Sequence, residues 1–152
     1  MQCIKPTPKH LTIHLADQTL SYQNKVFPIS SSRFGIGFTE GSNKTPLGRF
    51  QISEKHGAGE HIHSVFKGRR KVSQWSPDNP ELSKDHILAR ILRLSGLEGD
   101  NNNTYQRYIY IHGTNNEQGI GTPHSMGCIR LRNLDMIELY NTVDLGTTVS
   151  IY

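Results

Sequence analysis

Short apolar alternations, closed off at brief intervals by turn residues, constrain this chain more than any other feature. Leu11, Ile13 and Leu15 alternate with Thr12 and His14, the period of a strand with one buried face. Asp17-Gln18 turns the chain into residues 19–23, and Asn24-Lys25 turns it again into residues 26–29. Strands this short on turns this tight predict an antiparallel meander. Thr45-Pro46-Leu47-Gly48 is a further turn, followed by a strand over 49–53 with Phe50 and Ile52 on one face. Aromatic and β-branched residues alternate through Tyr108-Ile109-Tyr110-Ile111-His112, a strong strand signal.

The rest of the chain modifies that frame. Residues 55–84 hold Gly57-Ala58-Gly59, three histidines, the single Trp and two prolines, which reads as a long loop over the sheet. Residues 87–94 read as a strand, with a short buried helix as the alternative, and 96–103 as a loop. Asn133 is placed to cap a helix running to about Val143, with Leu134, Ile137 and Tyr140 along one stripe. Gly146 ends it, and residues 147–151 make a last strand. The pattern sums to a mainly β single domain with one helix near the C-terminus. Residues 1–10 form a loose leading segment and 11–152 the folded domain.

Composition narrows the functional classes. A formal net charge of +4 on 152 residues is a mild basic bias that does not specify nucleic acid. The densest basic run, Lys67-Gly68-Arg69-Arg70-Lys71, reads as a solvated turn. Two cysteines, Cys3 and Cys128, are too few for a disulfide scaffold and fit a reducing compartment. No stretch approaches the length of a membrane span, and the opening residues lack an apolar leader. A cytoplasmic monomer without membrane insertion is therefore expected; a leader trimmed from the sequence would leave the same pattern.

The segment that carries chemistry is IHGTNNEQGIGTPHSMGCIRL, Ile111 to Leu131. His112 is expected at the end of one strand. Cys128 precedes Ile129-Arg130-Leu131, whose alternation suggests a second. If the two strands are neighbours, the imidazole and the thiol come within reach of each other. A thiolate is the reactive form of cysteine, and an adjacent imidazole is expected to lower the thiol pKa. Gly127 admits close approach of a substrate. The amides of Gly127 and Cys128 are candidates to meet a developing oxyanion. No Asp or Glu neighbours His112 in sequence, so the Gly113 carbonyl is the candidate that fixes its tautomer.

These residues resemble the L,D-transpeptidase catalytic (YkuD-like) domain. The likeness rests on His-Gly-Thr, a spacer, and Ser-x-Gly-Cys-Ile-Arg-Leu, with Thr45-Pro46-Leu47-Gly48-Arg49-Phe50 upstream. It extends over nearly the whole chain and implies that the strands form a single-domain two-sheet β-sandwich with a C-terminal helix. It implies Cys128 as nucleophile, His112 as base and Gly113 as its orienter, with no metal or organic cofactor. Arg130, Ser125, Gly127 and Thr114 would bind substrate or shape its site, Arg130 by holding a carboxylate bidentately. Many members carry His where this chain has Met126; His124 lies two residues earlier, and no catalytic role is expected of it.

The implied reaction is acyl transfer through a thioester, at the L-centre to D-alanine bond of a peptidoglycan stem peptide. The reading favoured is a cytoplasmic L,D-carboxypeptidase that trims recycled muropeptides. An exported L,D-transpeptidase forming 3,3 cross-links is the runner-up, and a catalytically silent peptidoglycan-binding module is the alternative of another class. A zinc site is the chemical rival, since His56, His61, His63, His112, His124 and Cys128 are all possible ligands, but their spacing matches no recognised zinc pattern. Trp75 and Tyr108 are candidates to line a groove or simply to pack locally.

Overall fold

The computed structural model describes residues 9–78 and 85–152; Cys3, most of the loose leading segment and residues 79–84 of the expected long loop lie outside them. The elements in chain order are β1 His10–His14, β2 Thr19–Tyr22, β3 Lys25–Pro28, β4 Gly48–His56, β5 Ser64–Lys67 and β6 Arg70–Gln74. There follow β7 Ile87–Gly96, β8 Tyr110–Thr114, β9 Ile129–Leu131, α1 Asn133–Thr142 and β10 Thr148–Ile151. The protein is mainly β, with a single α-helix near its C-terminus among the described residues.

The opening meander forms because its apolar residues fall on one face. Leu11, Ile13, Leu20, Tyr22 and Phe27 are all buried. The turn between β2 and β3 is Gln23-Asn24, one residue earlier than expected, since Tyr22 pairs with Lys25. β10 lies parallel to β1 on one edge and antiparallel to β4 on the other. β4 pairs with β7, and β7 pairs in turn with β8, and β8 with β9.

The two layers expected are halves of one hydrogen-bonded sheet folded over on itself. Beyond β3 the chain crosses to β9, where Ser30 and Arg130 exchange backbone hydrogen bonds of 2.9 Å in both directions. Phe50, Ile52 and Val149 from one layer then meet Leu92, Ile111, Ile129 and Leu131 from the other in a common core. Burying such side chains contributes about 1.5–3 kcal/mol each.

Three elements depart from the sequence pattern. The expected long loop contains a hairpin, β5–β6, which joins the start of β7 through Val65↔Leu88 and Phe66↔Ile87. Its turn is Gly68-Arg69 with φ of 57° and 64°, the left-handed geometry that suits a two-residue hairpin loop. Every residue of β6 is exposed, so no apolar alternation announced it. The strand expected over 108–112 runs over Tyr110–Thr114, because Tyr108 adopts a left-handed φ of 56° that a strand cannot include. His112 therefore sits mid-strand rather than at a strand end.

The third departure is in α1. The helix buries Met136, Leu139 and Tyr140, whereas Leu134 is 74% exposed; the apolar stripe is rotated from the expected one. Asn133 is not the cap. Arg132 takes that place without a side-chain hydrogen bond, and the Asn133 amide donates to the Glu117 carboxylate at 3.0 Å. An acidic group there also complements the positive end of the helix dipole.

Candidate active site

The parallel β8–β9 pair sets the site. Ile111 is in register with Ile129, and His112 with Arg130. Both isoleucines point into the core. Side chains alternate along a strand, so Tyr110 and His112 share the opposite face with Cys128 and Arg130. The expectation that these strands would be neighbours holds.

Cys128 is half-buried against Phe66, Ile87, Ile91 and Tyr110. Its thiol donates to the Tyr108 carbonyl at 3.4 Å, and the Tyr110 amide donates to its sulfur at 3.3 Å. His112 is 4% exposed. Its Nδ1 lies 2.5 Å from the Gly113 carbonyl. A carbonyl oxygen only accepts, so Nδ1 carries the proton and Nε2 is left as the basic nitrogen. Gly113 thus sits where the sequence reading put it.

The ionisation differs from expectation. Burial lowers His112 below its usual 6.5, the Arg130 charge acts in the same direction, and the Gly113 carbonyl and Asp85 oppose both. Burial pushes the Cys128 thiol up to about 11, against the opposing pull of the Tyr110 amide. Both shifts favour the uncharged forms, a neutral thiol and a neutral imidazole, over a thiolate beside an imidazolium. A neutral imidazole supplies no charge to hold a thiolate, and the apolar side chains beside the sulfur solvate one poorly.

The turn before Cys128 is held from two sides. Gly127 has φ of +123°, a conformation that L side chains rarely adopt. Its carbonyl accepts from Thr45 Oγ1 at 2.9 Å, and the same oxygen of Thr45 accepts from the Ser32 amide at 3.0 Å. The peptide is trans, so fixing that carbonyl aims the Cys128 N–H the opposite way. Ser125, itself buried, donates to the Cys128 carbonyl at 2.6 Å and accepts from the Gly127 amide at 3.2 Å. Of the two amides expected to meet an oxyanion, the one on Gly127 is therefore already engaged.

Arg130 is 2% exposed. Its Nη1 donates to Asp85 at 2.9 Å and its Nη2 to Ser30 Oγ at 3.3 Å. It forms part of a cleft of about 800 Å³ that also involves Arg33, Trp75, Asp85, His124 and Met126. Thr114 is not in this cleft. It is fully buried, and its amide and carbonyl are both bound to the Asn133 side chain at 2.9 Å. Trp75 is a cleft residue, with its ring edge-on to His63; Tyr108 instead lies beneath the Arg69 guanidinium. Among the described residues no three His, Cys, Asp or Glu side chains are grouped to hold a metal ion.

Asp85 and Asn133 escaped the sequence reading as site residues. Asp85 stands 45 positions from Arg130, and no local motif links the two. Thr45 belonged to a quoted motif, yet its contact with Gly127 spans 82 positions.

Comparisons with known proteins bear on the family and the fold. A family model described as the L,D-transpeptidase catalytic domain matches residues 8–151. YqjB of Bacillus subtilis, provisionally named an L,D-transpeptidase, is 31% identical over 107 residues, 70% of this chain and 51% of its own. YbiS of Escherichia coli is 51% identical, with 97% of this chain and 46% of its own length covered. The chain spans about half the length of these curated relatives. Among solved structures, an L,D-transpeptidase of Xylanimonas cellulosilytica superposes with a TM-score of 0.61 at 16% identity, covering 97% of this chain and 62% of the other, a likeness of fold.

Proposed function

The chain belongs to the L,D-transpeptidase catalytic-domain family, and on that premise we propose that it cleaves the L-centre to D-alanine bond of peptidoglycan stem peptides as an L,D-carboxypeptidase. The observation that carries the chemistry is His112 with Nδ1 tied to the Gly113 carbonyl, on the same sheet face as Cys128. Nε2 takes the thiol proton as sulfur attacks the substrate carbonyl. The Cys128 amide faces the oxyanion. The imidazolium returns the proton to the leaving amine of D-alanine, and water then hydrolyses the thioester by the same base.

Hydrolysis is favoured over cross-linking because a transferase must hold a second amine and exclude water, whereas a hydrolase needs only a donor site open to solvent. The cleft beside Arg130 is lined largely by polar side chains, which suits a small, hydrated donor. Soluble muropeptides in the cytoplasm are the substrates of this reading. Formation of 3,3 cross-links in the wall is the second reading, and an intact thiol–imidazole pair argues against a silent binding module.

The test is product analysis by liquid chromatography and mass spectrometry with a tetrapeptide stem as both donor and acceptor. D-alanine and tripeptide are expected as the main products. Dominant dimer with little tripeptide would overturn the hydrolytic reading in favour of transpeptidation. Cys128→Ala is expected to abolish every product while the circular dichroism spectrum is unchanged; retained turnover would remove Cys128 as nucleophile.

A further inference from the structure

We infer that Asp85 is a positioning residue of the catalytic pair, cancelling the Arg130 charge beside His112 so that the imidazole can accept the thiol proton. The inference rests on the reading of Cys128 and His112 as that pair. Arg130 is the register partner of His112 on the neighbouring strand, and neighbouring strands lie about 4.8 Å apart. The guanidinium is almost wholly buried, where an uncompensated cation is costly and makes a second cation next to it costlier still.

The attack creates that second cation. A proton leaves Cys128 Sγ for His112 Nε2, the S–C bond forms, and imidazolium stands beside Arg130. Asp85 arrives from the segment ahead of β7, places Oδ1 2.9 Å from Arg130 Nη1 and keeps its carboxylate 42% exposed. It is the one acid in an ion pair with Arg130 among the described residues. The groups around His112 are Arg130 and Cys128 from the β9 side, Tyr110 on its own strand and Asp85. β7 and β5 contribute the apolar Ile87, Ile91 and Phe66 to the cluster against which Cys128 packs. Asp85 favours the charged imidazole where Arg130 disfavours it. At the thiol Asp85 disfavours the thiolate and Arg130 and Arg107 favour it, so Asp85 acts through the proton's arrival on His112 and not through its departure from Cys128.

The test compares wild type, Asp85→Asn and Asp85→Glu in two assays. One is kcat and KM across pH on the tetrapeptide. The other is Cys128 alkylation by iodoacetamide across pH, which needs no substrate and so stands apart from the choice of reaction. Asp85→Asn is expected to lower kcat by about tenfold or more, with KM little changed. It should also move the acid limb of activity and the alkylation midpoint to lower pH by about one unit. Asp85→Glu should restore both. Unmoved limbs, or a rise in KM with kcat intact, would overturn the assignment. If Asp85→Asn does not fold, Arg130→Met and Arg130→Met/Asp85→Asn carry the same comparison. The single variant should raise the alkylation midpoint and the double should bring it back; coincident midpoints in those two would equally overturn it.

Discussion

A thiol held protonated by its surroundings changes what Cys128, the proposed nucleophile, does at rest. With Cys128 pushed to about 11 and His112 lowered, the thiolate forms only as the attack proceeds. Alkylation of Cys128 by iodoacetamide should therefore be slow at neutral pH, with its midpoint above the ordinary thiol value of 9.0. The acid limb of kcat/KM should fall below 6.5, since His112 must be neutral to act. Mass-spectrometric alkylation rates across pH decide the point; a midpoint below about 8.5 would indicate a resting ion pair instead. The placement of Cys128, His112 and Gly113 together was legible in the sequence because the strand–turn–strand pattern around them is local. The ionisation was not legible, because burial by Phe66, Ile87 and Ile91 belongs to the packed fold.

At the scale of elements, the nucleophile turn depends on a distant segment. Thr45, 1% exposed, joins the Gly127 carbonyl to the Ser32 amide. Thr45→Val keeps the shape and removes both contacts. It should cost about 1–3 kcal/mol in urea denaturation, the penalty of unsatisfied buried groups. It should also lower kcat by about tenfold through the released peptide plane of Gly127. Unchanged kcat would show that Ser125 alone fixes the turn. The meander and the last strand were readable because apolar alternation survives wherever one face is buried. β6 was not, because it buries neither face, and Tyr108 was assigned to a strand because residue type does not report a left-handed φ.

For the molecule as a whole, the two buried groups bracket its stability. The unfolded chain protonates His112 near 6.5 while the folded one resists, so that contribution is present above 6.5 and is lost as pH falls. Glu54, held down at about 2 by the Tyr105 hydroxyl and His56, is lost in the same direction below 4.5. Cys128 acts the other way. The unfolded thiol ionises from 9.0 and the folded one only at about 11, so stability is lost as pH rises between them. Thermal melts should show that alkaline decline in the wild type and a smaller one in Cys128→Ala; equal declines would contradict the burial of the thiol.

The mainly β architecture and its C-terminal helix followed from the residue pattern. The parallel pairing of β1 with β10 did not, since His10 meets Thr148 and Ile13 meets Ile151 across almost the entire chain. That pairing has a mechanical side. A pull applied through the first and last strands runs along β1 and β10 in opposite senses. Their shared hydrogen bonds are then loaded side by side, in shear, and must give way together. A hairpin such as β5–β6, pulled at its open end, would unzip one rung at a time. The seam that joins the first and last strands is thus also a clamp against tension along the chain.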